Sequence, residues 1–164
     1  MELILPWVIA AHALAGAVLL GALIGRWTIL GLAQRAESLP AMVTLTNAAK
    51  PFERVVIIIP NVVVLLGIVL VLAQGRPFLG PIQGAPVDWL FVSILLTFSV
   101  PALVPTVFIP KGRIFEAALH EAQSRGEVTP ELHAAWRDPV TRRARYYELG
   151  AVSLIFILMV AKPF

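Results

Sequence analysis

The chain has 164 residues, of which 59% are hydrophobic and 14% are charged, and its mean hydropathy is +0.85. Because a soluble domain has roughly 45–50% apolar and about 25% charged residues, this composition excludes a soluble globular protein. The absence of cysteine excludes disulfides, thiolate metal sites and cysteine nucleophiles. We interpret the formal net charge of +3 as a sign of membrane topology and not of nucleic-acid binding. The length predicts a single integral membrane domain, 1–164.

Apolar stretches long enough to cross the hydrocarbon core, which requires about 20 residues, occur four times in the chain. They predict an all-α fold, a transmembrane bundle of four helices with spans at about 3–25, 55–73, 87–109 and 146–162. The chain begins Met-Glu without a basic segment, so we expect the first span to be a retained helix and not a signal peptide.

Basic residues are distributed unequally among the connections between the spans. The connection between the second and third spans contains Arg76 alone. The other two connections contain Arg26, Arg35, Lys50 and Arg54, and then Lys111, Arg113, Arg125, Arg137, Arg142, Arg143 and Arg145. Because cytoplasmic loops are enriched in Lys and Arg, we predict that these two long loops are cytoplasmic and that both termini lie outside the cytoplasm. The protein itself is expected to be integral to the cell (inner) membrane.

The connections also differ in their predicted structure. Residues 74–86 are rich in glycine and proline and predict a short external turn. Residues 112–126 have apolar side chains at helical spacing, and Thr129 followed by proline predicts the start of a second helix. We therefore expect a partly helical cytoplasmic loop over 111–145, broken near Gly126 and Pro139. It could lie on the membrane surface or extend the third helix, and the sequence leaves both open.

Polar side chains within a span need a partner, so they are the first candidates for function. His12 lies in the first span, and Ala15 and Gly16 are positioned to clear space beside it. Arg26 shares its helical face about 21 Å further along, at the cytoplasmic interface. His12 is compatible with axial ligation of a haem, with a proton relay, or with a hydrogen bond to a neighbouring helix.

Other polar and small residues of the spans have a structural interpretation beside a functional one. Pro60-Asn61 in the second span predicts a kink, with a ligand contact by Asn61 as the alternative. In the third span, Ser93 and Thr97 are expected to bond to their own helix, with a cofactor lining as the alternative. Gly21-Ala-Leu-Ile-Gly25 matches a GxxxG motif, which favours close helix packing.

Known catalytic motifs are absent from the sequence. The spans contain no pair of carboxylates, and neither an HExxH sequence nor a phosphate-binding glycine loop occurs. Catalytic residues therefore stay unknown, and it is uncertain whether the protein is an enzyme. If it performs chemistry, a bound cofactor must supply most of it.

Several short motifs together resemble a known group of membrane proteins. These are the spacing from His12 to Arg26, Pro51-Phe-Glu-Arg-Val-Val, Trp89-Leu90, Arg145-Tyr-Tyr-Glu and the terminal Val160-Ala-Lys-Pro-Phe164. They resemble the small four-helix proteins of the HemJ type, which are bacterial protoporphyrinogen oxidases, and related CopD-like families. The resemblance extends over nearly the whole chain.

The resemblance implies that haem b binds through the first-helix histidine, here His12, as the metal ligand. HemJ proteins carry a histidine and a lysine where this chain has Phe91 and Ser93, and a tryptophan is missing between His12 and Gly16. These departures imply a neighbouring family without porphyrinogen oxidase activity.

Two functions are compatible with these observations. In the first, the protein is a haem-binding membrane redox protein with its cofactor-binding residues at His12, Gly16, Arg26, Asn61 and Ser93. The second axial position would then be open, taken by a weaker ligand, or supplied by His12 of another protomer, so a homo-oligomer is also open. In the second, the protein is a non-enzymatic membrane component without a cofactor, either an accessory subunit or a small permease-like unit. The expected partner is the lipid bilayer, and we expect no binding of nucleic acid.

Overall fold

A computed structural model describes residues 3–163 of the chain, so Phe164 of the terminal motif lies outside the described residues. Over this range the fold is all-α, as predicted. The helices are α1 (Leu5–Gln34), α2 (Leu39–Ala73), α3 (Trp89–Ser99), α4 (Ile109–Arg125), α5 (Pro130–Trp136) and α6 (Pro139–Ala161). Within 3–163, four helical stretches are long and apolar enough to cross a membrane, at Leu5–Gln34, Leu39–Ala73, Trp89–Arg125 and Pro130–Ala161. The four-helix transmembrane bundle is therefore confirmed.

The first two spanning helices are much longer than their apolar stretches. We expected a long loop between these spans, but α1 continues to Gln34 and α2 begins at Leu39. The extensions are stabilised by burial, because Leu30 and Met42 are 6% and 1% exposed. The basic residues of this connection therefore lie mostly on two helical extensions joined by a tight turn.

The third spanning helix is irregular in its second half. Regular α-helix ends at Ser99 and gives way to turns and then to a π-helical segment, Val104–Phe108. Pro101 and Pro105 explain this irregularity, because each removes a backbone donor and its ring clashes with the preceding turn. The segment leads directly into α4, so the structure answers a question that the sequence left open: the polar helix extends the third span.

The breaks predicted in the 111–145 segment are confirmed. Gly126 ends α4 in the left-handed conformation, with φ at 73°. Thr129 begins α5, and its side chain accepts a hydrogen bond from the backbone N–H of Leu132. Asp138 caps α6 in the same way, through the N–H of Thr141.

The two ends of the bundle have different compositions and different cores. We call the end with residues 26–54 and 109–145 the basic end, and the end with residues 74–88 the turn end. Along the bundle, α1 packs against α2, and α6 packs against both α1 and α3. The core of the basic end consists of Leu39, Met42, Ala118, Ala122 and Leu132, and that of the turn end of Val71, Trp89, Leu90 and Leu158.

Candidate cofactor-binding site

The imidazole of His12 reaches from α1 to the backbone of α2. Its Nδ1 lies 3.1 Å from the carbonyl oxygen of Val63. A carbonyl oxygen accepts hydrogen bonds only, so Nδ1 must carry the proton of this hydrogen bond. In the neutral ring, Nε2 then has a free lone pair, which is the form that binds a metal.

Gly67 makes this approach of His12 to α2 sterically feasible. Gly67 follows Val63 by one helical turn, so both residues lie on the same face of α2. A Cβ atom at position 67 would lie 3.3 Å from Cε1 of His12, which is closer than most side-chain contacts. The imidazole therefore occupies the space that a side chain at position 67 would fill.

Gly16 faces a different helix from His12. A Cβ atom at Gly16 would lie 3.7 Å from Cδ2 of Phe156 in α6. This is an ordinary van der Waals distance, so Gly16 belongs to the contact between α1 and α6. The space beside the imidazole is provided by Gly67 of α2 and not by Gly16.

Arg26 forms an ion pair with Glu148 at the basic end of the bundle. The pair joins α1 to α6, and the side chains of Arg26 and Glu148 are 17% and 8% exposed. The Arg26 guanidinium also lies 6.0 Å from the centre of the Phe108 ring, within range of a cation–π contact. Because Arg26 is 14 residues from His12 along one helix, about 21 Å, the structure does not bring these two residues together.

Asn61 and Ser93 each bond to their own helix. Asn61 is exposed on the outer surface of α2, and its Nδ2 donates to the carbonyl of Ile57 at 3.0 Å. Ser93 is fully buried, and its Oγ donates to the carbonyl of Trp89 at 2.7 Å. Back-bonding of this kind satisfies a polar group inside a span without a partner helix. For Ser93 this is the structural role that the sequence predicted, whereas for Asn61 the sequence predicted a kink at Pro60 and not this hydrogen bond.

Glu148 and Gly67 are the site residues that our interpretation of the sequence overlooked. Glu148 is an acidic residue inside the fourth predicted span, and an acid at that depth needs a cation nearby. That signal was available in the sequence, although it did not identify Arg26 as the partner. Gly67 carried no such signal, because a glycine in an apolar helix indicates close packing without saying which group approaches it.

The donor set around His12 limits the kind of metal that it could hold. Over residues 3–163, no three His, Cys, Asp or Glu side chains are grouped closely enough to hold a metal ion. A zinc site or another site built from side chains would require three or four such ligands. Among the described residues, His12 is therefore not part of a metal site built from three or more of these side chains.

An open cavity lies at the basic end, away from His12. It has a volume of about 350 Å³ and lies between α4, α5 and the start of α6. Lys111 and Asp138 form an ion pair at its edge, with Nζ and Oδ1 separated by 2.7 Å. Partial desolvation raises the pKa of Asp138, but hydrogen bonds from Lys111 and Thr141 outweigh it and lower that pKa to about 2. Asp138 thus caps α6 through Thr141, and its ion pair with Lys111 attaches the start of α6 to α4.

Comparison with known proteins places the chain among membrane proteins. A protein family described as "Predicted integral membrane protein (DUF2269)" matches residues 6–163, a region that contains His12, Gly67 and Glu148. The chain has no match among curated proteins or among solved structures. Since the family match extends over nearly all of the sequence and agrees with the four candidate spans, the chain belongs to the DUF2269 family of predicted integral membrane proteins.

Proposed function

We propose that this protein binds haem b in the membrane and that Nε2 of His12 is an axial ligand of the iron. The observation that carries the proposal is the hydrogen bond from Nδ1 of His12 to the carbonyl of Val63. Histidines that bind metals commonly donate their other ring nitrogen to a backbone carbonyl, which fixes the tautomer and the ring orientation. His12 has this arrangement through the carbonyl of Val63.

The accessibility of Nε2 supports the proposal. Among the described residues, every buried side-chain nitrogen or oxygen has a hydrogen-bond partner. Nε2 of His12 has no hydrogen-bond partner in that range, so it is not fully enclosed by the chain. The residues therefore fit an axial ligand presented at the surface of one bundle, where haem b would supply one-electron chemistry when bound. A second copy of the chain could then provide the other axial histidine.

The proposal does not extend to porphyrinogen oxidation. In the HemJ-type proteins that the sequence resembles, the third span carries a histidine and a lysine at the positions of Phe91 and Ser93. Here Phe91 packs against Gly80 of the turn, and the Ser93 hydroxyl is bonded within its own helix. Neither side chain can transfer a proton to a substrate or pair with its carboxylates.

An absorption spectrum of the purified protein tests haem binding directly. We expect a Soret band at stoichiometric intensity in the wild type and its loss in His12→Ala, with the variant still folded. His120→Ala and His133→Ala are matched controls, because both histidines are exposed on the polar helices at the basic end. A wild-type spectrum without a Soret band after expression with excess haem would refute the proposal.

The second candidate function is that of a non-enzymatic membrane component without a cofactor. It is favoured by the same hydrogen bond to Val63, which already gives the buried side of the imidazole a partner. In that case His12→Ala would lower the unfolding temperature, because α1 and α2 would lose a polar contact, and no variant would change a haem spectrum. The two functions are therefore separated by the wild-type spectrum alone.

We also propose that the basic end faces the cytoplasm and that both termini lie on the other side of the inner membrane. This follows from the excess of Lys and Arg on the 26–54 and 109–145 segments, compared with Arg76 alone in the turn. Fusions of paired reporters to the C-terminus test it. A reporter that is active only outside the cytoplasm should work there, and activity of a cytoplasm-only reporter would reverse the orientation.

A further inference from the structure

Arg145 lies beside the Arg26–Glu148 ion pair without an ion pair of its own. It belongs to the first part of α6 and is half-buried. Within residues 3–163, its guanidinium has no carboxylate within 4 Å and no hydrogen-bond partner. Glu148 is taken by Arg26, and Glu53 of α2 acts on Arg145 only at longer range. The five N–H donors of this guanidinium therefore have no acceptor within the described part of the chain.

The Arg145 guanidinium remains open to its surroundings. Because every buried side-chain nitrogen in the described part of the chain has a partner, the unpaired nitrogens of Arg145 cannot be buried. They border a narrow notch between α1 and α6, whose volume is about 10 Å³. That volume holds roughly one water-sized group, so it can take a single anionic oxygen but not a larger organic molecule.

Aromatic residues place this notch at the membrane interface. Trp27 of α1 and Tyr146 of α6 meet edge to face with ring centres 5.7 Å apart, and they are 41% and 55% exposed. Tryptophan and tyrosine collect at the level of the lipid headgroups. On the apolar side, Leu23 and Leu149 line the same notch and lead into the spans. Arg145 thus lies between an aromatic pair typical of the headgroup region and the apolar residues of the spans.

We propose that Arg145, with Arg26 beside it, binds the phosphate group of a membrane phospholipid in the notch between α1 and α6. Arginine donates two parallel hydrogen bonds to a phosphate, and basic pockets between spanning helices are suited to lipid headgroups. One phosphate oxygen enters the notch, while the acyl chains follow the exposed apolar surface of α1, where Ile24 is 48% exposed. This proposal is independent of the function of His12.

Native mass spectrometry of the purified protein with added phosphatidylglycerol tests the proposal. We expect the wild type to retain one lipid and Arg145→Gln to retain about tenfold less, because a charge-assisted hydrogen bond to the phosphate is lost. Arg143→Gln is the matched control: it removes the same charge two residues away on the same helix, at an exposed position. It should retain lipid as the wild type does.

Four results would overturn the proposal. Equal retention by Arg145→Gln would show that the guanidinium does not bind the lipid, and equal loss in Arg143→Gln would show an unspecific charge effect. Displacement of the lipid by inorganic phosphate would identify a site for free phosphate. If Arg145→Gln does not fold, the wild type still decides: phosphatidylglycerol should raise its unfolding temperature above that in detergent alone, and an unchanged temperature would refute the lipid site.

Discussion

Gly67 of α2 lies directly against the imidazole of His12 in α1. A Cβ atom at position 67 would lie 3.3 Å from Cε1 and 3.9 Å from Nδ1 of the ring. Because the ring fills this space, its Nδ1 reaches the carbonyl of Val63. The orientation of the histidine therefore depends on a residue that has no side chain and lies 55 positions away in the sequence.

Replacing Gly67 should disturb the orientation of His12. In Gly67→Val, the two methyl groups occupy the position of the imidazole, so the bond to Val63 is lost and overpacking destabilises the bundle by about 1–3 kcal/mol. Thermal unfolding in detergent measures this loss, and under the proposed function haem retention falls as well. Gly21→Val is the matched control, because a Cβ atom there has no neighbour within 4 Å. Equal unfolding temperatures for the two variants would contradict the prediction.

Gly25→Ala should weaken the contact between α1 and α2. The added Cβ atom would lie 2.5 Å from Cε1 of Phe52, so the phenyl ring must move, at a cost of about 1–2 kcal/mol. In the double variant with Phe52→Ala the clash no longer exists, and its destabilisation should be smaller than the sum of the two single changes. Additive values in chemical unfolding would show that the two residues are not in contact.

Glu148→Gln should be among the more destabilising conservative changes in the chain. It leaves the Arg26 guanidinium without its counter-ion in a position where the side chain is only 17% exposed, and losing one partner of a buried pair costs about 3–5 kcal/mol. The exposed pair of Arg125 and Glu121 on α4 is the control, because Glu121→Gln should cost less than about 1 kcal/mol. Comparable losses in the two variants would show that Arg26 and Glu148 are well hydrated.

The Asp138 cap should make stability depend on pH in the acid range. Its folded-state pKa of about 2 is below the value of about 3.9 in an unfolded chain, so the ionised carboxylate stabilises the fold. This contribution is complete above about pH 5 and is lost as the pH falls through about 2. Asp138→Asn should therefore lower the unfolding temperature at pH 6 and flatten its decrease between pH 4 and pH 2. An unchanged acid profile in this variant would contradict the assignment.

Features set by neighbouring residues could be predicted from the sequence. The four apolar stretches, the helix end at Gly126 and the cap at Thr129 depend on chain segments of 4 to about 20 residues. The structure confirms the bundle and both helix boundaries. Apolar length did not predict the extension of α1 to Gln34, because that extension is stabilised by contacts with distant segments.

The identity of each polar partner depended on the tertiary structure. The sequence identified His12 and Arg26 as polar groups in need of partners. It did not show that Val63 and Glu148 would be those partners. A helix presents its side chains at a known spacing, while its rotation and its shift along a neighbouring helix come from packing over the whole interface. Those two quantities decide which groups meet inside the bundle, and no local pattern in the sequence determines them.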